Sequence, residues 1–185
     1  MTAVPVRRLQ PGDATAFRSL MLQAYALHPD AFTSSVAERE SLPASWWAAR
    51  LSQAPDAAEL VLGAVGADGS LLGVAGVNFD GREKARHKAV LFGMYVREAQ
   101  RGAGLGRQLV LAALDQARQR DGVRQVLLTV TQGNLAAQRL YERCGFRAWG
   151  VEPRAVSVGE GFVDKVHMIC DVRGPAPPAT QATPD

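Results

Sequence analysis

The order of apolar and polar positions along the chain predicts a protein of mixed helices and strands. Four segments repeat apolar residues at helical spacing; they lie near residues 13–28, 43–51, 105–120 and 134–145. Seven shorter apolar runs have the length of strands; they are residues 4–9, 59–66, 71–79, 88–96, 124–131, 146–153 and 161–172. Between the first two helices, residues 28–42 follow neither pattern and are predicted to be irregular. The order β-α-α-β-β-β-α-β-α-β-β therefore predicts an α/β (α+β) fold, a mixed, mostly antiparallel sheet of about seven strands flanked by four helices.

The same pattern predicts one folded domain over residues 1–173. The remaining stretch, residues 174–185 with the sequence "GPAPPATQATPD", contains Pro, Ala and Thr but no large apolar residue. Such a segment cannot bury a core, and we predict a disordered tail there.

Composition narrows the classes of function. The 185 residues carry a net charge of +3, which favours a polyanionic small molecule more than nucleic acid. The densest basic run, residues 82–88, has no interleaved aromatic residue, so no nucleic-acid site is predicted. No apolar run is long enough for a membrane span or a signal peptide, which predicts a cytoplasmic protein. The two cysteines, Cys144 and Cys170, lack metal-ligand spacing; we interpret them as core residues and predict no metal site.

A glycine-rich stretch, "QRGAGLGRQL" at residues 100–109, lies between a predicted strand and a predicted helix. Such a loop predicts an anion-binding cradle, because the first N–H groups of a helix have no intrahelical partner and carry partial positive charge. A P-loop would need Lys and then Ser or Thr after the last glycine, where this chain has Arg107 and Gln108. A dinucleotide fold would need a third glycine at Arg107 and an acidic residue after the next strand, which ends in Thr131 instead.

A third class of loop fits. The stretch "MYVREAQRGAGLGRQL" resembles the acyl-CoA loop of the GNAT superfamily of acetyltransferases, whose Arg/Gln-x-x-Gly-x-Gly/Ala pattern is met by Arg101, Gly104 and Gly106. A second stretch, "NLAAQRLYERCGF", resembles the family's asparagine, followed seven residues later by tyrosine and then by Gly-Phe. The resemblance covers roughly residues 3–172. "HPDAF" and "GVEPRAVSVGEGFVDKVHM" also resemble an uncharacterised bacterial subgroup of the superfamily.

The resemblance implies a GNAT-like fold with a splayed strand pair, and acetyl-CoA as cosubstrate. It also implies the residues that bind acetyl-CoA: Met94, Tyr95, Val96, Arg101, Gly102, Ala103, Gly104, Leu105, Gly106, Arg107 and Asn134. Tyr141 would give its phenolic proton to the departing thiolate. Asn134 and Tyr141 lie on one face of a helix, about 10 Å apart along its axis, so a ligand can pass both. Gly93 marks either a bulge that opens the strand pair or a packing position.

The function implied is transfer of acetyl to a primary amine of a small molecule or a protein, by direct attack in a ternary complex. The general base is left open, because Thr129 stands where several family members have glutamate. Other candidates for the base are His87, Glu152, Asp164 and His167. A chain of waters, or an acceptor amine of low pKa, would require no single base. In such folds the region that holds Tyr25, Phe32, Trp46 and Trp47 covers the acceptor pocket. A non-catalytic acyl-CoA-binding or sensor module is the alternative, and a homodimer is common in this fold.

Overall fold

The computed structural model describes residues 4–174. Its seven strands are β1 Val6–Arg8, β2 Glu59–Val65, β3 Leu71–Phe79, β4 Lys88–Val96, β5 Gln125–Thr131, β6 Arg147–Val158 and β7 Gly161–Asp171. Its α-helices are α1 Ala14–Leu27, α2 Val36–Glu40, α3 Ala44–Ala49, α4 Leu105–Gln119 and α5 Leu135–Arg143. The strands form one sheet in the order β1-β2-β3-β4-β5-β7-β6, and the β4–β5 pair is parallel while the other pairs are antiparallel. The predicted mixed, mostly antiparallel sheet is confirmed; the predicted tail lies outside the described residues, apart from Gly174.

Helix α2 corrects the prediction that residues 28–42 are irregular. Its N-terminus is a capping box, in which the Ser35 Oγ accepts from the Glu38 N–H at 3.2 Å and the Glu38 Oε2 accepts from the Ser35 N–H at 2.8 Å. These reciprocal bonds satisfy two donors that a helix start leaves free. The helix has only five residues, which is too short to show helical periodicity, and so the pattern missed it.

The two faces of the sheet are covered by different helices. Along β2, Leu60 and Leu62 point to the core beneath α4, whereas Val61 points to the core that α1 and α3 form. This alternation follows from the two-residue period of a strand. Cys144 and Cys170 are free thiols buried in the α4 core, as predicted. Among residues 4–174, no helix is long and apolar enough to cross a membrane.

Strands β4 and β5 separate soon after they meet. They pair only through Lys88–Val90 and Gln125–Leu127, so the β5-facing edge of β4 is free from Leu91 onward. On its other side β4 contains a bulge, where the register with β3 shifts between Val74 and Gly76. Gly93 lies in this bulge with φ +59, and a Cβ there would meet only Met21, at an ordinary 3.7 Å. The backbone conformation, not packing, therefore requires this glycine. The register shift confirms the predicted bulge, and the short pairing of β4 with β5 confirms the splayed pair.

Candidate active site

Two cavities lie on either side of the opening between β4 and β5. The first, of about 570 Å³, lies between the glycine loop, the end of β4 and α5; we call it the loop cavity. The second, of about 520 Å³, lies beside the β4 bulge under α1, α2 and α3; we call it the aromatic cavity. The two linings have five residues in common: Ala31, Phe32, Met94, Asn134 and Ala137. One ligand can therefore extend from the loop to the edge of the second cavity.

The glycine loop has the backbone of an anion cradle. Gly102 and Gly104 have φ +83 and +80, and Gly104 is the N-cap of α4. The backbone N–H groups of residues 102–107 donate to no other backbone group of residues 4–174. Gly106 has a different role, since a Cβ there would come within 3.2 Å of Leu140 and 3.3 Å of Met94. This glycine lets the start of α4 approach both α5 and β4.

Ten of the eleven residues predicted to bind acetyl-CoA line the loop cavity; they are Met94, Tyr95, Val96, Arg101, Gly102, Gly104, Leu105, Gly106, Arg107 and Asn134. Ala103 is exposed and is not among the lining residues. Leu105 buries its side chain in the core, so its backbone N–H is the group it offers. Arg143 adds a guanidinium to the same lining.

Arg101 folds back onto the end of β4. Its Nε donates to the Val96 carbonyl at 3.2 Å, and its Nη2 lies 3.0 Å from His28 Nε2. A weak ion pair with Glu98, at 3.8 Å, offsets part of its charge. Arg101 therefore fixes the junction of strand and loop, while the exposed Arg107 extends from the first turn of α4.

Asn134 and Tyr141 lie at opposite ends of α5. Asn134 is the N-cap, and its Oδ1 accepts from the Ala137 N–H at 3.2 Å. Tyr141 lines the aromatic cavity and is buried, with its ring 5.9 Å from Phe146. Burial raises the pKa of Tyr141 to about 12, because a phenolate loses its hydration in an apolar environment. The phenol therefore holds its proton throughout the neutral range.

Of the candidate bases, His167 is the one that lines the aromatic cavity. It pairs directly with Thr129 across β5 and β7, and its Nε2 lies 2.7 Å from Glu152 Oε2. Asp164 supports the β6–β7 hairpin instead, where its Oδ1 accepts from the Arg154 N–H at 2.8 Å. His87 is in the turn before β4 and lines neither of the two cavities.

The aromatic cavity contains the four predicted residues together with two arginines that the sequence did not predict. Tyr25 and Phe32 pack edge to face, with centroids 5.1 Å apart, and Trp46 packs on Trp47 at 5.1 Å. Trp47 is fully buried and belongs mainly to the core. The two further residues are Arg39 and Arg50, which enter from α2 and from the end of α3. Only the short α2 brings Arg39 here, and the Ser35–Glu38 capping box was the available signal for that helix.

A buried lysine holds the loop between α1 and α2 in place. The Lys165 Nζ donates to the carbonyls of Asp30 and Ala31, each at 3.0 Å, and to Thr131 Oγ1 at 2.8 Å. The Thr131 hydroxyl also donates to the Asp30 carbonyl at 2.8 Å. Burial lowers the pKa of Lys165, yet the three hydrogen bonds that its Nζ donates use the three ammonium protons. This clamp fixes the wall that the two cavities share at Ala31 and Phe32.

Comparisons with known proteins agree with this geometry. The model of the Acetyltransferase (GNAT) family matches residues 21–146. The mycothiol acetyltransferase of Salinispora tropica is 32% identical over 147 residues, which are 79% of this chain and 45% of that protein. The chain thus spans about half the length of this curated relative.

Solved structures share the fold. An acetyltransferase of the GNAT family from Streptococcus pneumoniae superposes with a TM-score of 0.79 at 26% identity, over 89% of this chain and 97% of its own. The protein yncA from Salmonella typhimurium, whose structure contains its cofactor acetyl-CoA, has a TM-score of 0.75 at 22% identity, over 97% and 100% of the two chains. With the splayed strands, the glycine loop and the family match together, the chain belongs to the GNAT family of acetyltransferases.

Proposed function

We propose that this protein is an N-acetyltransferase that uses acetyl-CoA and passes the acetyl group directly to a primary amine in a ternary complex. One observation carries the proposal: the free edge of β4 leads straight into the unpaired N–H groups of residues 102–107. A pyrophosphate fits those groups, because a helix N-terminus in a glycine loop favours phosphate oxygens. The guanidinium groups of Arg107 and Arg143 add positive charge at the same cavity.

Acetyl-CoA supplies an acetyl thioester in this arrangement. The β4 edge from Leu91 to Val96 offers backbone N–H and C=O groups that β5 does not use. A preorganised N–H at the bulge can stabilise charge on a carbonyl oxygen, which is the largest single contribution in many acyl transfers. Tyr141 holds a proton at its phenolic oxygen and can give it to a leaving thiolate. A binding-only module has no use for such a buried acid, and so Tyr141 supports catalysis.

The proton of the attacking amine requires an acceptor, and we assign that role to His167. With Glu152 ionised, the His167 Nε2–H donates to Oε2 at 2.7 Å, which leaves Nδ1 as the nitrogen with a free lone pair. A carboxylate that accepts from one ring nitrogen orients the ring and stabilises the imidazolium. His167 lies directly opposite Thr129, so its side chain leaves the same face of the sheet beside the position at which the resemblance implies a glutamate in several family members. It can take the proton directly or through one water.

Thermal unfolding tests the cofactor part of the proposal. The purified protein is heated with acetyl-CoA, CoA, NAD or ATP. A ligand at a hundredfold its dissociation constant stabilises by about 2.7 kcal/mol, so acetyl-CoA and CoA should raise the midpoint by several degrees while NAD and ATP should not. Release of free CoA thiol with a panel of primary amines then tests transfer. Binding without any amine-dependent release would favour the acyl-CoA-binding module instead.

A further inference from the structure

Two arginines lie on the same tryptophan in the aromatic cavity. The guanidinium carbons of Arg39 and Arg50 are 4.8 and 4.6 Å from the centre of the Trp46 ring. Both arginines line the cavity, and none of the described residues that line it is Asp or Glu. His167 in the lining is hydrogen-bonded to Glu152, whose carboxylate is not itself part of the lining. The cavity that receives the acceptor is therefore cationic.

The two arginines differ in how their charge is balanced. Arg50 pairs with Glu59 at 3.2 Å and also lies 5.1 Å from the Phe92 ring. Burial lowers the pKa of Arg50; the ion pair with Glu59 opposes this effect, and the neighbouring Arg39 adds to it. An anion placed between two such groups would relieve their mutual repulsion.

Arg39 has no such counter-ion. Its Nη2 donates to the neutral Ser34 Oγ at 2.7 Å, and within residues 4–174 no carboxylate lies at ion-pair distance from it. Its Nε is buried and has no hydrogen-bond partner. Adjacent Glu38 is engaged in the capping box with Ser35. A guanidinium that lines a cavity without a counter-ion can take its acceptors from a ligand carboxylate.

A cationic cavity is unsuited to a simple amine, because the amine arrives as an ammonium ion that the arginines repel. It suits an amine that also carries an anionic group. Resting on the proposed function, we propose that the acceptor is an amino carboxylate with an apolar or aromatic body, and that Arg39, assisted by Arg50, binds its carboxylate. The planar fork of arginine matches a carboxylate with two parallel hydrogen bonds. The rings of Tyr25, Phe32, Trp46 and Phe92 provide the apolar wall.

The same charges also assist the chemistry. Nearby positive groups disfavour the ammonium form of the substrate, so more of the bound acceptor is the neutral amine that can attack. The carboxylate holds the molecule in place while its amine loses affinity for a proton. Binding and deprotonation thus come from one cluster of residues.

Matched pairs of acceptors test the proposal. L-phenylalanine is compared with 2-phenylethylamine and with L-phenylalaninamide. A second comparison, of 6-aminohexanoate with hexylamine, tests an acceptor whose amine and carboxylate are farther apart. The release of CoA thiol gives kcat/KM for each. We expect the carboxylate member of at least one pair to be the better substrate. Arg39→Gln should lower kcat/KM for the carboxylate member about 10- to 100-fold, the range for a hydrogen-bonded charge, and leave kcat/KM for the member without a carboxylate unchanged or improved. Arg86→Gln, in the exposed turn before β4, is the control.

The contrary outcomes are distinct. Preference for the members without a carboxylate, or an equal loss for both members in Arg39→Gln, would mean that Arg39 only packs on Trp46 and would overturn the proposal. The proposal would also be overturned if acetyl-CoA stabilises the protein against heat but no member of any pair is acetylated. If acetyl-CoA gives no thermal shift and no acceptor is acetylated, the proposed function fails as well.

Discussion

Replacement of Tyr141 by Phe removes one oxygen from the site and leaves the ring in place. The pKa of about 12, against 10.0 for an ordinary tyrosine, arises from burial, with a smaller contribution from Cys144 and none from a hydrogen bond. The difference corresponds to a preference of about 3 kcal/mol for the neutral phenol. The variant therefore loses a protonated acid and no structural bond.

Tyr141→Phe should therefore lower kcat but leave the stability and the affinity for acetyl-CoA almost unchanged. A positioned general acid contributes about 10²- to 10⁴-fold to a rate, so kcat should fall by that factor, or about 3–5 kcal/mol in the barrier. The free energy of unfolding should change by less than about 1 kcal/mol, since no hydrogen bond is broken. The affinity for acetyl-CoA should stay the same, because Tyr141 lines the aromatic cavity and is not among the residues that line the loop cavity with its pyrophosphate cradle.

Steady-state kinetics, a thermal melt and a titration with acetyl-CoA measure these quantities. Tyr25→Phe is the matched control, since Tyr25 lines the same cavity and burial also raises its pKa, but it belongs to α1 and not to α5. A Tyr141→Phe enzyme that keeps more than half of the wild-type kcat would refute the assignment of Tyr141 as the acid. An equal fall in Tyr25→Phe would indicate a general effect on cavity shape.

Three other changes probe separate parts of the site. Gly104→Ala places a side chain at φ +80, which should cost about 1–2 kcal/mol of stability and weaken acetyl-CoA about tenfold by titration. Gly69→Ala, strained alike at φ +81 in the β2–β3 turn, which lines neither cavity, should cost the same stability but leave that affinity intact; equal affinity losses would contradict the cradle. His167→Gln should lower kcat/KM at least tenfold, whereas a fall of less than twofold would assign the proton to another group. Lys165→Met releases the clamped loop, so KM should rise for both substrates and the midpoint should fall about 2–4 °C for each kcal/mol lost; a change in kcat alone would argue against the clamp.

The parts of the site that depend on local backbone geometry could be predicted from the sequence. The glycine loop requires positive φ at Gly102 and Gly104, and only glycine adopts that conformation at no cost. The bulge at Gly93 has the same origin. The seven-residue spacing that puts Asn134 and Tyr141 on one helix face depends on helix geometry alone.

The parts built by distant segments could not be predicted in the same way. Arg39 reaches Trp46 only because a five-residue helix turns it inward. Lys165 meets the Asp30 carbonyl across 135 positions of sequence, and no periodicity encodes such a contact. The His167–Glu152 pair depends on the register of β6 against β7, which includes shifts between Ala148 and Gly150 and between Glu152 and Val156.

The wall shared by the two cavities has a kinetic consequence. Ala31, Phe32 and Met94 face both ligands, so occupancy on one side sets the shape that the other ligand meets. Any free energy of coupling between the two ligands is reciprocal. Acetyl-CoA and the amine should therefore change each other's dissociation constants by the same factor. Free CoA contacts the same wall after turnover, so an amine that binds tightly to the CoA complex should delay the next cycle.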